Sequence, residues 1–202
     1  MASGVSPTKG NLLKIKKSLQ LARVGYELLD RKRNILIREM MSMIDNASSI
    51  QVLINEAYNA AYKSLQLANI DLGIVDNLAA AVPVENGIKL SQHSVMGVVI
   101  PTVKFDPNPK ANYFGYYNSS VDLDEAYSMF DRVKRLTASL AEIENGVYRL
   151  AQGIKKTQKR ANALKNIIIP KFENQVKFIT SALEEKEREE FARLKIIKKI
   201  ID

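Results

Sequence analysis

Apolar residues recur along this chain at alternating steps of three and four. From Leu12 they run through Ile15, Leu19, Ala22, Tyr26, Leu29, Arg33, Leu36, Met40, Met43, Ala47, Ile50, Ile54 and Ala57 to Ala61, with Arg33 the single polar position. Sustained over about seven heptads, that spacing is the seam of a coiled coil. One helix over this span is on the order of 75 Å long, far more than a compact globule uses.

A second seam has the same form. It takes in Ala126, Met129, Val133, Leu136, Leu140, Ile143, Val147, Leu150, Ile154, Thr157, Ala161, Leu164 and Ile168, with Thr157 the polar exception. Asp122 and Glu125 suit its start, an oxygen to cap free amides and a carboxylate at the positive helix end. Two such seams in one chain predict a pair. A connection of about 60 residues allows either parallel or antiparallel pairing, and the hairpin return is the shorter path. With Ala61 opposite Ala126, Leu12 falls opposite residue 175, and the second helix outruns the first.

The second stripe then slips by one residue. After Ile168 it resumes at Phe172, Val176, Ile179, Leu183, Phe191, Leu194 and Ile197, with Pro170 removing a helix hydrogen bond at the slip. Leu183, Phe191, Leu194 and Ile197 thus lie past the reach of the first helix and are expected to serve a partner.

Between the seams the period changes to two. Ile88 and Leu90 alternate with Lys89 and Ser91, Val95 precedes Gly97, and Val98 and Ile100 flank Val99 ahead of Pro101. A β-hairpin over about 87–105 is expected, turning near His93 and Ser94. The segment "DPNPKANYFGYYNSS" reads as a loop with aromatic residues to pin it. The fold class is mainly α: a long antiparallel two-helix coiled coil with a small middle region holding a β-hairpin and a short helix. Its divisions are 1–65, 66–121 and 122–202, the last extending beyond the first helix after Pro170.

The chain has 202 residues, 46% hydrophobic and 26% charged, no cysteine and a net charge of +8. It is too apolar for generic disorder, and without cysteine it forms no disulfide, thiolate zinc site or cysteine nucleophile. No window approaches a membrane span and no signal peptide opens the chain, so it reads as soluble and unexported. Charge is uneven: nine basic and four acidic residues over 9–46, four and five over 47–120, seventeen and thirteen over 121–202.

That charge does not select nucleic acid. Basic residues are interleaved with acids and no aromatic platform accompanies them; a membrane-surface scaffold is disfavoured because neither helix sets a broad apolar face against a uniformly basic one. "GVSPTKGN" fails as a phosphate loop, since Lys9 precedes Gly10 and no strand leads into it. His93, the single histidine, reads as a turn residue. "DRKRN", residues 30–34, reads as a solvated face, except for Arg33 in the seam, which either snorkels outward or pairs with an acid across it. No nucleophile, base and orienting acid assemble, so no active site, metal or cofactor is expected.

The stretches "SPTKGNLLKIKKSLQLA", "LDRKRNILIRE", "VMGVVIP", "LDEA", "RANALKNIIIP" and "LEEKEREEFARLK" occur in an order that resembles the D subunit of the V-type ATPases and A-type ATP synthases. The resemblance spans nearly the whole chain; "TQKRANAL", with Gln158 and Ala161, departs from the more basic, β-branched form expected. It implies the central rotor axle of a rotary ATPase, non-catalytic itself. One copy enters the bore of a hexamer of A and B subunits, and the other end meets the F subunit and the funnel-shaped subunit above the membrane ring. It further implies a cytoplasmic location peripheral to the membrane, without insertion, and participation in proton or sodium transport.

Overall fold

Lys9–Leu72 forms one unbroken helix, α1, in the computed structural model, which describes residues 6–84, 86–105 and 119–201. There follow a short helix α2 (Asp76–Ala79), strands β1 (Ile88–Val95) and β2 (Val98–Phe105), helix α3 (Val121–Ala163), a π-helical turn (Leu164–Ile168) and helix α4 (Ile169–Ile201). Most of the aromatic loop read from "DPNPKANYFGYYNSS" lies outside the described residues.

Local chemistry sets the helix ends. Thr8 caps α1, its hydroxyl accepting the Asn11 amide at 3.3 Å and its carbonyl the Leu12 amide at 3.0 Å. At the far end Gly73 adopts φ +77° and returns its amide to the Asn69 carbonyl, a left-handed stop that a Cβ disfavours. For α3 the cap is Ser120, whose hydroxyl accepts the Leu123 amide at 3.2 Å. Asp122, expected as the start, instead lies in the first turn with Asp124, where both complement the helix dipole.

The structure divides into two compact units: Met1–Asn34 with Lys155–Asp202, and Ile35–Ile154. In the first, α1 and the C-terminal helix run antiparallel. Arg33 bonds Gln158, Arg23 pairs with Glu173 and Lys9 with Glu187, so partners ascend as α1 is descended. Ile15, Ala22, Ala161 and Ile179 are buried between the helices, and Leu12, Leu19, Tyr26 and Leu164 are half-buried beside them.

The phase slip has a definite form. Pro170 has no N–H to give the Asn166 carbonyl, and the turn just before it widens to the π pattern. A single π turn inserts one residue into an α-helix, the size of the slip read from the stripe. The expected register is corrected here: Leu12 shares a groove with Thr180 and Leu183, well beyond residue 175. The anchor was wrong because α1 continues past Ala61 through buried Ser64 and Ala68, and Ala61 packs with Val133.

In the second unit α1 and α3 are also antiparallel, Met43 facing Gly146 and Tyr62 meeting Phe130. Ala57, Ala61 and Val133 form one core with Met129, Leu136 and Tyr58 around it. The other joins Leu36, Ile100 and Leu150 under Met40, Met43, Val95, Val98 and Ile154, so the hairpin shares its core with both helices. Ile143, Val147 and Leu140 are half-buried along the same helix face.

The hairpin turns elsewhere than expected. β1 and β2 pair antiparallel with Val95 opposite Val98 and His93 opposite Ile100, so the turn is Met96–Gly97. Both turn residues have positive φ, +50° and +77°, the type I′ geometry whose twist matches the strands. His93 is accordingly a strand residue, its Nδ1 2.9 Å from the Thr102 hydroxyl.

Candidate functional surfaces

Two regions present organised chemistry at the surface, one in each unit. In the second unit it is the hairpin. Because Val95 and Val98 close a two-residue turn, hydrogen-bonded pairs alternate from there, and the backbone groups of Val99, Pro101 and Val103 point away from β1. Pro101, with no N–H, sits where none is needed for the ladder. α3 seals that outer edge: the Glu142 carboxylate accepts the Val103 amide at 2.8 Å, and the Arg149 guanidinium donates to the Val99 carbonyl at 3.4 Å.

Two helix glycines make the close approach possible. A Cβ on Gly153 falls 2.7 Å from Val98 Cγ2, and one on Gly146 falls 3.2 Å from Ile100 Cγ2 and 3.1 Å from Met43 Sδ. At its end β2 places the Phe105 ring 5.3 Å from Lys134 Nζ and 5.5 Å from the Arg135 guanidinium, within cation–π range. Those cations in turn share Asp131, at 2.9 and 2.8 Å. Partial burial pushes the Asp131 carboxyl upward, and the two cations overcome that and hold it below its ordinary value.

Glu142, Arg149, Gly146 and Gly153 are functional neighbours that strand periodicity does not reveal. The signal available was the glycine pair, seven residues apart on one helical face. Glycine inside a helix costs roughly 1 kcal/mol against alanine, so each calls for a packing reason.

In the first unit the organised surface is the end of α4. Leu12 and Leu183 line a groove closed by the Lys9–Glu187 ion pair at 3.0 Å. Glu187, supplemented by Glu190, raises the Lys9 ammonium above its ordinary value by hydrogen bonding and charge. Leu183 is thus half-buried against α1's first turns, whereas Phe191, Leu194 and Ile197 stand exposed beyond them with Ile196 and Ile200. Arg193, Lys195 and Lys198 are interleaved with them, giving an apolar and basic tip.

Of the hairpin residues, Val95 and Val98 are half-buried in the shared core, and Gly97 makes the turn. Pro101 is half-buried on β2, and Ile88 and Leu90 are exposed on β1. Arg33 resolves differently from both expectations. It pairs with Asp30 on its own helix at 2.7 Å and reaches across the seam to a neutral amide, donating to Gln158 Oε1 at 2.8 Å. Gln158 passes the chain on to Asn162 Oδ1 at 2.8 Å.

Among the described residues no helix is long and apolar enough to cross a membrane. No group of three or more His, Cys, Asp or Glu side chains there is placed to hold a metal ion.

Residues 11–199 match the family of the ATP synthase D subunit. The chain is 43% identical to the V-type ATP synthase D subunit of Thermotoga neapolitana over 196 residues, covering 96% of this chain and 97% of that protein. It is 36% identical to the A-type ATP synthase D subunit of Thermococcus sibiricus, covering 98% and 95%. The same identity and coverage relate it to that of Methanosphaera stadtmanae. A seam, a central hairpin and an extended C-terminal helix carried over essentially the whole of these relatives leave one assignment: the chain belongs to the D-subunit family of the ATP synthases.

Proposed function

We propose that this chain is the non-catalytic central shaft of a rotary ATP synthase or ATPase, transmitting torque between a nucleotide-hydrolysing head and an ion-translocating ring. The observation that carries the reading is the antiparallel helix pair whose α4 continues past its last partner, Lys9, into an exposed apolar and basic tip. A shaft has to resist twisting, and an apolar seam whose buried side chains are each worth roughly 1.5 to 3 kcal/mol supplies the stiffness. It also has to turn within its housing. Exposed ion pairs such as Arg193–Glu189 are worth about 0 to 1 kcal/mol and exchange readily between steps.

In this reading the head is a hexamer of alternating A and B subunits with one copy of the shaft in its bore. Phe191, Leu194 and Ile197 form the contact at the tip, with Leu183 at its base. The opposite end engages the F subunit and the funnel-shaped subunit on the ring, placing the chain at the cytoplasmic face of the membrane without entering it. The shaft's asymmetry makes three otherwise equivalent catalytic interfaces differ, so that hydrolysis at one favours the next shaft orientation, and ion flow drives the same cycle backwards. The hairpin lies on the shaft's flank, where it modulates coupling through a neighbouring subunit.

The test is reconstitution of a purified A/B hexamer with the full chain and with a truncation after Glu190. This cut leaves every α1 contact of the first unit in place. The expected result is one full-length copy bound per hexamer with ATP turnover altered, and weaker binding of the truncation. Equal binding of both removes the tip contact, and no binding by either overturns the shaft reading.

A further inference from the structure

We propose that the outward edge of β1 is a strand-addition site for an extended, acidic segment of a neighbouring subunit. The inference rests on the shaft reading only in taking its occupant from the same assembly.

The two edges of this sheet are treated differently. β2's outer edge is occupied, its Val103 amide and Val99 carbonyl bound by Glu142 and Arg149 of α3. β1's outer edge is set by the same alternation: Ile88, Leu90, Gln92 and Ser94 turn their backbone groups away from β2. All four residues are exposed, and no side chain among the described residues is seen bonding their outward groups. Such a row is a template for one further strand.

The faces of the sheet add a second requirement. By strand alternation Ile88 and Leu90 share a face with their partners Phe105 and Val103, and with Val99. Ile88, Leu90 and Val99 are 48, 73 and 41% exposed, whereas the opposite face buries Ile100 in the helix core. An incoming strand thus finds apolar side chains on one face beside the open edge, and alternate apolar residues of its own would cover them.

Charge selects the occupant. Residues 88–105 hold two lysines, one histidine and no acid. Beyond them Lys134 and Arg135 share the single carboxylate of Asp131. An acidic segment meets this field favourably. A second copy of this chain brings the same lysine-bearing strand to the edge, setting like charge against like.

Backbone amide exchange tests the proposal on the full chain, free and built into its holoenzyme, with co-elution establishing incorporation. In the free chain the amides of Ile88, Leu90, Gln92 and Ser94 are expected to exchange fast while those of Lys89, Ser91 and His93 are protected by the ladder. In the holoenzyme the four outward amides should slow by at least about tenfold. Gln92→Pro, opposite the native Pro101, removes one outward donor and no ladder donor; Lys104→Glu reverses one charge. Each should restore fast exchange at the edge in assembled complex.

Incorporation with the four amides still fast overturns the strand-addition site and leaves the shaft reading intact. Protection that appears in the free chain on dimerisation overturns it in favour of self-pairing. Failure to incorporate overturns the shaft reading, and this inference with it.

Discussion

Gly153 lies so close to Val98 that a Cβ added to it would stand 2.7 Å from Val98 Cγ2. Alanine there gains roughly 1 kcal/mol of helix propensity but overpacks a β-branched neighbour, at a cost of about 1 to 3 kcal/mol. The clash wins where the neighbour is held in a shared core, so Gly153→Ala should lower stability by about 1 kcal/mol. Val98→Ala should relieve the overpacking, making the two changes non-additive. Gly25 is the contrast: its added Cβ meets Leu164 Cδ1 at an ordinary 3.8 Å. Gly25→Ala should therefore raise stability by about 0.5 to 1 kcal/mol. Urea unfolding decides; shifts of the same sign for both glycines would remove the steric account.

Met96 carries φ +50° in the hairpin turn, a conformation that costs an ordinary side chain roughly 1 to 2 kcal/mol. Asparagine tolerates it, and Met96→Asn should stabilise the chain by about 0.5 kcal/mol and slow exchange of the Val95 and Val98 ladder amides. Gly97→Ala, at φ +77°, should do the reverse by about 1 kcal/mol. A turn that ignored both changes would not be type I′.

These sites also show what the sequence could and could not disclose. The positions from Leu12 to Ala61 were legible because a seam depends only on spacing along one helix, and each of them is buried or half-buried. Register was not, since the same apolar stripe satisfies several alignments of the partner; only Ser64 and Ala68, small residues beyond the expected end, mark the true one. The turn was misplaced because Met96 is an unusual first turn residue, leaving Gly97 as the lone signal. The Glu142 and Arg149 clamps were invisible for another reason: on a helix surface they read like any solvated charge, and only β2's location gives them a task.

Arg33 is the polar break in α1's seam, held by Asp30 and Gln158. Gln158→Leu leaves a part-buried guanidinium N–H unmatched and should cost about 1 to 3 kcal/mol. The double change Arg33→Leu with Gln158→Leu removes both partners and should match or exceed the wild-type stability. Its cost falls on register, which a polar layer in an apolar seam specifies. With no native cysteine, spin labels on introduced cysteines report directly on this. Distances between α1 and α4 within the first unit should broaden in the double variant; an unchanged distribution would deny the polar layer that role.

Two carboxylates should respond to acid in opposite directions. A hydrogen bond with Asp71, aided by desolvation and by the charges of Asp71 and Glu125, raises Asp122 above its ordinary value. A carboxyl whose folded pKa is raised favours the folded state while protonated, so its contribution is present at low pH and is lost as pH rises through the folded value. Asp131 is the reverse. Lys134 and Arg135 outweigh its desolvation and lower it, so its contribution is present above the unfolded value near 3.8 and is lost as pH falls through the depressed one. Asp122→Asn keeps a hydrogen-bonding amide without the charge and should raise the melting temperature at pH 7 more than at pH 3. Asp131→Asn should lower it at pH 7 and have less effect at pH 3, where the wild-type carboxylate is being neutralised. Melting curves of both variants at the two pH values give the four differences. If Asp122→Asn destabilised at pH 7, the carboxyl–carboxyl contact with Asp71 would not be the one that raises its pKa.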